Sequence, residues 1–268
     1  MFTLSVLVSL ALSATMGAQA QSSTPKRGLV YIPSSIFPKD DAIFLGSKNA
    51  MTWYYGYVPK APAAVVGTPA GLEFVPMLWG DGTNSFVSDV RNAVPKVKYA
   101  LAFNEPDMIK DWGGSDMTPQ RAADAFKAYI QPLAANGVKL GAPAVSGASW
   151  GRDWLVDFMK ACTGCTIDFI PLHWYGDFGG LASQLGWAAA TFPGKKLWLT
   201  ELGFSDQDVA TTESFYNTTI AYLDGLSYVE RYSWFGAFRS DVSNVGPNGA
   251  MLDASGKLTH IGKWYLGK

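Results

Sequence analysis

The chain has 268 residues, of which 21 are basic and 22 acidic, so its formal net charge is −1 at pH 7. It lacks the basic surplus by which proteins hold nucleic-acid phosphates, and we expect no nucleic-acid partner. Charged residues make up 16% of the sequence and aromatic residues 14%. Because soluble proteins are usually about 25% charged, we expect some aromatic rings to remain for a ligand once the core is filled. Sugars are natural ligands for such rings.

The first twenty residues differ from the rest of the chain. Residues 4–14 are apolar but too few to span a bilayer, and Ala18-Gln19-Ala20 is typical of a signal-peptide cleavage site. No Lys or Arg precedes the apolar stretch, although signal peptides usually carry a positive charge there. The pattern still predicts a signal peptide over residues 1–20, a secreted mature protein from Gln21 onward, and no membrane anchor.

The only two cysteines form the motif Cys162-Thr-Gly-Cys165. This spacing fits a redox motif, half of a zinc site or a local disulfide. A zinc site needs further ligands, and the only two histidines, His173 and His260, lack ligand spacing, so we expect no metal. A redox motif would stand at the start of a helix. The motif Cys162-Thr-Gly-Cys165 instead follows a helix that is predicted over residues 153–161. In an oxidising compartment the spacing favours a disulfide between Cys162 and Cys165.

Short runs rich in β-branched and aromatic residues alternate with longer amphipathic stretches from Arg27 onward. This alternation is typical of repeated βα units. The eight candidate strands cover residues 28–32, 50–54, 73–78, 99–103, 139–142, 168–173, 196–200 and 229–234. Helices are predicted over residues 86–94, 119–136 and 209–225, the second with Thr118 as its cap and Pro119 at its first position.

Several of these strands are apolar almost throughout, as parallel strands covered on both faces are. We therefore predict an α/β protein with a single (β/α)8 barrel over residues 21–268, a monomer without a cofactor.

Polar side chains follow the apolar runs at the carboxyl ends of the predicted strands, where barrel enzymes build their active sites. Strand four ends in Asn104-Glu105-Pro106-Asp107, strand six in His173-Trp174-Tyr175 and strand seven in Thr200-Glu201. Glu105 and Glu201 thus stand three strands apart in a ring of eight and face one cleft. Glycoside hydrolysis needs two such carboxyl groups, one to protonate the leaving oxygen and one to attack or to activate water.

These motifs, with Trp198-Leu199-Thr200-Glu201 and the Cys162-Thr-Gly-Cys165 turn, resemble glycoside hydrolase family 128 over nearly all of residues 27–265. The resemblance implies a retaining, endo-acting hydrolase of β-1,3-glucan. It makes Glu105 the general acid/base, Glu201 the nucleophile, Asn104 a partner of the sugar 2-hydroxyl, and Tyr175 a residue that orients Glu201. Leu202 departs from the family pattern, in which an aromatic residue often follows the nucleophile.

Further residues at strand ends are candidates for contact with the sugar rings. They are Trp53, Tyr54, Trp79, His173, Trp174, Tyr175 and Trp234. Trp112 and Trp150 are placed in loops and are weaker candidates.

Two other functions compete with the glycosidase. Gly147-Ala148-Ser149-Trp150-Gly151 matches the serine-hydrolase elbow, and His260 follows in the expected order, which would make the protein an esterase. Pro143 interrupts the run that leads to Ser149 and counts against this hypothesis. The second alternative is a cell-wall glucan-binding protein that keeps the barrel without turnover.

Asn217-Thr218-Thr219 is an acceptor sequence for N-glycosylation, usable only if Asn217 faces solvent.

Overall fold

A computed structural model describes residues 26–82 and 85–268, so the predicted signal peptide and Gln21 lie outside the described residues. The protein is an α/β structure in which helices separate most of the successive strands. The strands are β1 Gly28–Val30, β2 Trp53–Tyr55, β3 Glu73–Phe74, β4 Tyr99–Ala100, β5 Lys139–Leu140, β6 Phe169–Tyr175, β7 Lys196–Gly203 and β8 Val229–Trp234. The α-helices are α1 Asp41–Leu45, α2 Phe86–Arg91, α3 Pro119–Tyr129, α4 Ser149–Ala161, α5 Phe178–Thr191, α6 Val209–Gly225 and α7 His260–Leu266. In the described part of the chain, no helix has the length and apolarity that a membrane span requires.

Several of the helices begin at side chains that cap them. Thr118 accepts a hydrogen bond from the Arg121 amide at the start of α3, and Asp208 does the same for the Thr211 amide at the start of α6. The predicted helix over residues 119–136 divides in two, because α3 ends at Tyr129 and a 3-10 helix follows over Gln131–Asn136. Pro132 has no amide hydrogen to continue an α-helical ladder, which accounts for the division.

The strands pair in parallel and in sequence order. They form three small sheets, with the orders β1-β2-β3, β4-β5 and β6-β7-β8, rather than one continuous sheet in the described part of the chain. Isolated parallel bridges pair Met77 with Leu101, Gly141 with Phe169, and Arg27 with Tyr232. All eight predicted strands are present, but five of them have only two or three residues.

Apolar side chains from the two faces of the strands enter two separate clusters. Trp53, Tyr55 and Trp198 belong to the smaller cluster, where the Trp198 and Phe169 rings stack with centroids 4.1 Å apart. The larger cluster joins the opposite face of the strands to the helices and includes Tyr54 beside Trp53 in sequence. Successive residues of β2 therefore point to opposite faces, as the period of a strand requires.

The Cys162–Cys165 disulfide predicted from the motif is present at the end of α4. Its loop is so short that it restricts the unfolded chain little, and it contributes about 2 kcal/mol in the loop-entropy model. We expect dithiothreitol to lower Tm by only a few degrees, measured by differential scanning fluorimetry. A Cys162→Ala/Cys165→Ala variant is the matched control, since its Tm should not respond to dithiothreitol. Free thiols in the oxidised wild-type protein would contradict the bridge.

Candidate active site

A bulge in β7 directs Glu201 towards the interior of the strand arrangement. Leu172 of β6 pairs with Leu199, but the next residue, His173, pairs with Glu201, so Thr200 is an extra residue in the ladder. Regular alternation from Trp198 would place Thr200 on the inner face and Glu201 on the helix-facing side. The bulge reverses this, because an extra residue re-aims the side chains that follow it.

Glu105 stands in a tight turn after β4 with a backbone conformation that L-residues rarely adopt. Its φ angle is +38°, and its amide donates a 2.7 Å hydrogen bond to the Ala144 carbonyl oxygen. Such strain at a non-glycine residue persists only where the surroundings enforce it, and it concentrates at functional sites. Gly114 packs against this turn so closely that a Cβ would overlap the carbonyl oxygens of Glu105 and Met108.

Asp107 fixes the other side of the same turn. Its two carboxylate oxygens accept hydrogen bonds from the Ser146 amide at 3.0 Å and from the Ser146 hydroxyl at 2.5 Å. Two bonds to one residue of the loop after β5 restrict the position of the turn. Glu105 is therefore held from both ends of the motif Asn104-Glu105-Pro106-Asp107.

Glu105, His173 and Glu201 meet in a single cluster. One carboxylate oxygen of each glutamate and one ring nitrogen of His173 all lie within 4.8 Å of one another. His173 Nδ1 lies 2.9 Å from Glu105 Oε1 and 3.4 Å from Glu201 Oε2. An ionised carboxylate only accepts hydrogen bonds, so a hydrogen on Nδ1 would be donated to whichever of the two glutamates is ionised. Each of the three side chains also offers one atom that could ligate a cation.

Two tyrosines hold the carboxylate of Glu201. Tyr57 donates to Oε1 at 2.6 Å and Tyr175 donates to Oε2 at 2.7 Å, the latter being the contact that the family resemblance implies. Burial raises the pKa of Glu201 above its usual value of 4.5, and the charge of Glu105 adds to this. The charge of His173 and the two tyrosine hydrogen bonds oppose the rise, because each stabilises the ionised carboxylate.

His173 has its own perturbed ionisation. Burial lowers the pKa of its imidazole, but the charges of Glu201 and Glu105 and the hydrogen bond to Glu105 outweigh burial, so the net direction is upward from 6.5. A protonated His173 would therefore stabilise negative charge on the neighbouring glutamates. Its side chain has no exposed surface, so it acts from behind the two carboxyl groups.

A cleft of about 730 Å³ opens over the glutamates. Of the predicted site residues, Asn104, Glu105, Trp79, Trp174, Tyr175 and Glu201 line it. Asn104 donates from Nδ2 to the Gly113 carbonyl oxygen at 3.1 Å, while its buried Oδ1 accepts no bond in the structure. A sugar hydroxyl at this place could donate to that oxygen, since a buried carbonyl group favours a partner.

Four residues predicted to contact sugar are outside the set of described residues that line the cleft, because their side chains are buried. Trp53 and Tyr54 are 1% and 2% exposed, and the Trp53 indole donates to the Lys26 carbonyl oxygen. Trp234 is fully buried, and its indole donates to the Gly249 carbonyl oxygen. His173 contacts the glutamates rather than the cleft. These side chains support the site or fill the core.

Tyr57 is a site residue that the sequence analysis missed. It lies two residues beyond β2, shares a face with Trp53 and Tyr55, and has a φ angle of +58°. The alternation Trp53-Tyr55-Tyr57 could have indicated it, because every second residue of a strand shares a face. The predicted strand, however, ended at Tyr54.

We expect Tyr57→Phe to move the acid limb of the kcat/KM profile upward by roughly one pH unit. The variant loses a hydrogen bond to ionised Glu201, so a pKa that burial has already raised increases further. The nucleophile that the family resemblance implies for Glu201 must be ionised to attack, so we expect activity to be lost at a higher pH on acidification. The measurement is kcat/KM on laminari-oligosaccharides as a function of pH.

Tyr31→Phe is the matched control for this prediction. It removes a hydroxyl that donates to the carboxylate of Asp41 at 2.6 Å, outside the cluster of Glu105, His173 and Glu201. The acid limb of this control should coincide with that of the wild type. An unchanged limb in Tyr57→Phe, with normal folding, would contradict the role given to Tyr57.

The described residues do not show the geometry that the esterase hypothesis requires. Ser149 begins α4 and is exposed, but the hydrogen bond of His260 is to Glu213, at 2.8 Å. The other histidine, His173, faces the glutamates. A serine nucleophile needs a base within hydrogen-bond reach, and neither histidine supplies one to Ser149. We expect a serine-directed phosphonate to leave activity unchanged, and inhibition that tracks modification of Ser149 would restore the hypothesis.

The acceptor asparagine of the glycosylation motif, Asn217, is exposed on α6. The solvent access on which its use depends is therefore present.

Comparison with known proteins shows the family to which the chain is similar. The family model described as "Glycosyl hydrolase catalytic core" matches residues 28–265. Alkali-sensitive linkage protein 1 of Schizosaccharomyces pombe is 32% identical over 254 residues, which are 91% of this chain and 45% of that protein. The chain thus spans about half the length of this curated relative.

Solved structures extend the comparison. A curdlan-specific exo-β-1,3-glucanase of family 128 from Blastomyces gilchristii, in complex with glucose, is 30% identical with a TM-score of 0.71, over 92% of this chain and 99% of that one. A family 128 endo-β-1,3-glucanase from Amycolatopsis mediterranei, in complex with laminarihexaose, is 29% identical with a TM-score of 0.69, over 91% and 99%. An oligosaccharide-binding protein of Cryptococcus neoformans shares the fold at 24% identity, with a TM-score of 0.72 over 90% and 92%.

Proposed function

Since the chain belongs to glycoside hydrolase family 128, we propose that it hydrolyses β-1,3-glucan with retention of configuration, with Glu105 as acid/base and Glu201 as nucleophile. The observation that carries the proposal is the approach of the two carboxylates to within 4.8 Å, measured between one oxygen of each. Retaining enzymes have their carboxyl groups about 5 to 5.5 Å apart, whereas inverting enzymes need about 6.5 to 9.5 Å for a water molecule. The short separation supports retention.

In the first step, an ionised Glu201 oxygen bonds to the anomeric carbon as the glycosidic bond breaks. Glu105 transfers its proton to the departing oxygen, so the leaving sugar departs as a neutral alcohol. Tyr57 and Tyr175 support this step because they hold both oxygens of Glu201 in place before the attack.

In the second step, Glu105 removes a proton from water, and the water oxygen attacks the anomeric carbon as the bond to Glu201 breaks. This returns both glutamates to their starting states. In this proposal Asn104 binds the 2-hydroxyl of the reacting sugar, which its place beside Glu105 in the cleft supports.

The architecture that we propose for this chemistry is the (β/α)8 barrel. The support is the order of the eight parallel strands together with the isolated bridges, which join β1 to β8 and each small sheet to the next. In such a barrel the carboxyl ends of the strands surround one site, which is where Glu105 and Glu201 meet.

Product analysis on laminarin and curdlan tests the substrate and the mode of action. We expect a ladder of laminari-oligosaccharides early in the reaction, as internal cleavage requires, and no release from a β-1,4-glucan of similar size. Release of glucose alone from the start would indicate action at chain ends. No products, with laminarin still bound in affinity electrophoresis, would favour the alternative of a wall-binding protein, because a shared fold does not establish turnover.

We also propose that the protein acts outside the cell or in the cell wall. The Cys162–Cys165 disulfide supports this, because such bonds persist mainly in oxidising compartments. Amino-terminal sequencing of protein from the culture medium should give Gln21 as the first residue. Retention of the whole chain inside the cells would contradict this.

A further inference from the structure

The loop after β4 carries the most exposed aromatic side chain of the cleft. Trp112 ends the 3-10 turn Lys110–Trp112 and is 66% exposed, although it lines the same cleft as Asn104 and Glu105. Leaving an indole in water forgoes the stabilisation that burial of a large apolar ring provides. An uncovered ring that faces a cleft is therefore available to a ligand.

The backbone that carries Trp112 is fixed. The Asn104 side chain donates to the Gly113 carbonyl oxygen at 3.1 Å, and the Ser115 amide returns a bond to the Asn104 carbonyl oxygen at 2.9 Å. The Gly114 amide also donates to the Ile109 carbonyl oxygen at 3.2 Å. These bonds tie the loop to the residue next to Glu105. The exposure of Trp112 therefore belongs to an ordered loop, whose backbone has little freedom to lose when a ligand binds.

The position of Trp112 relative to the two glutamates indicates which sugar it meets. In the proposed reaction the acid/base reaches the oxygen that joins the reacting sugar to the leaving sugar, and the nucleophile holds the reacting sugar. Glu105 and Trp112 share one loop after β4, whereas Glu201 stands on β7. We expect the leaving sugar on the side of the cleft that the acid/base loop forms, because the acid/base faces the shared oxygen.

We infer that Trp112 stacks on a glucosyl ring of the leaving group and so determines how well the enzyme uses the sugar on the reducing-end side of the cleaved bond. The inference rests on the proposed function. Pyranose rings present flat C–H faces, and an indole offers a large apolar surface of matching shape. Trp112 does not contact the reacting carbon in this account, and its effect is confined to substrates that have a sugar as leaving group.

Two substrates separate this role from a general one. Laminarihexaose places sugars on both sides of the cleaved bond, while β-laminaribiosyl fluoride has only fluoride as its leaving group. Trp112→Ala should lower kcat/KM for laminarihexaose about tenfold, and Trp112→Phe should restore part of the loss. Both variants should hydrolyse the fluoride within about twofold of the wild type, because no sugar occupies the leaving-group side.

Trp150→Ala is the matched control. Trp150 is 52% exposed at the start of α4, and it is outside the set of described residues that line the cleft. Loss of the Trp150 side chain should leave kcat/KM unchanged for both substrates. Transfer of the laminaribiosyl group from the fluoride to added laminaribiose gives a second measurement, since the acceptor binds where the leaving sugar was. This transfer should fall in Trp112→Ala and persist in Trp150→Ala.

Equal losses on both substrates in Trp112→Ala would overturn the inference, as they would place Trp112 against the reacting sugar or in a structural role. An unchanged kcat/KM for laminarihexaose would overturn it as well. Failure of the proposed function is recognisable separately, because the wild-type enzyme would then hydrolyse neither substrate, and the inference would fall with it.

Discussion

Replacement of Glu201 by Ala should reduce hydrolysis of laminari-oligosaccharides by about a thousandfold or more. The variant lacks the atom that bonds to the anomeric carbon, and no neighbouring carboxylate can replace it, because Glu105 is already required to donate the proton. Azide enters the vacated space, so incubation with azide and an activated aryl glycoside should yield the α-glycosyl azide. The product is identified by NMR.

Glu213→Ala is a matched control for this loss. Glu213 pairs with the exposed His260 on the surface of the molecule, away from the cleft. The control should keep wild-type kcat/KM. Formation of a β-glycosyl azide by Glu201→Ala would assign the nucleophile elsewhere and contradict the roles given to the two glutamates.

Replacement of Glu105 by Ala should slow cleavage of natural glucan by about a hundredfold or more, because the leaving oxygen no longer receives a proton. The first step on an aryl glycoside with a good leaving group should be largely spared, since the phenolate departs without protonation. Deglycosylation then becomes slow, because no general base removes a proton from the attacking water. The measurement is a burst of phenolate in rapid-mixing experiments.

Azide needs no general base and should restore turnover of Glu105→Ala on the activated substrate. The product should be the β-glycosyl azide, formed from the intermediate on Glu201. If azide restores turnover in neither Glu105→Ala nor Glu201→Ala, while both still bind laminarin, the result would instead support a wall-binding protein. An α-azide from Glu105→Ala would exchange the assignments of acid/base and nucleophile.

The order of elements and the two glutamates could be predicted from the sequence because both depend on local pattern. Apolar runs of four to six residues predicted all eight strands, and the polar residues that follow strand four marked the turn of Glu105. The disulfide followed from the short spacing of the only two cysteines. Thr118, the predicted cap, also begins α3 in the structure.

The side-chain environment of the site could not be predicted, because it depends on register. Trp53 and Tyr57 share one face of the chain at β2, but Trp53 fills the core whereas Tyr57, four residues further on, reaches Glu201. The bulge at Thr200 exchanges the faces of β7 for Glu201, and no composition signal in Leu199-Thr200-Glu201 announces it. Trp234 also fills the core, which is the usual place of a large ring.

The central claim is that the reaction proceeds through a covalent bond to Glu201, which requires two inversions at the anomeric carbon. Proton NMR during the first minutes of laminarihexaose hydrolysis tests this most directly, before the released anomers equilibrate. The short distance between the carboxylates of Glu105 and Glu201 predicts that the β-anomer appears first. First appearance of the α-anomer would show a single displacement by water and would contradict the account.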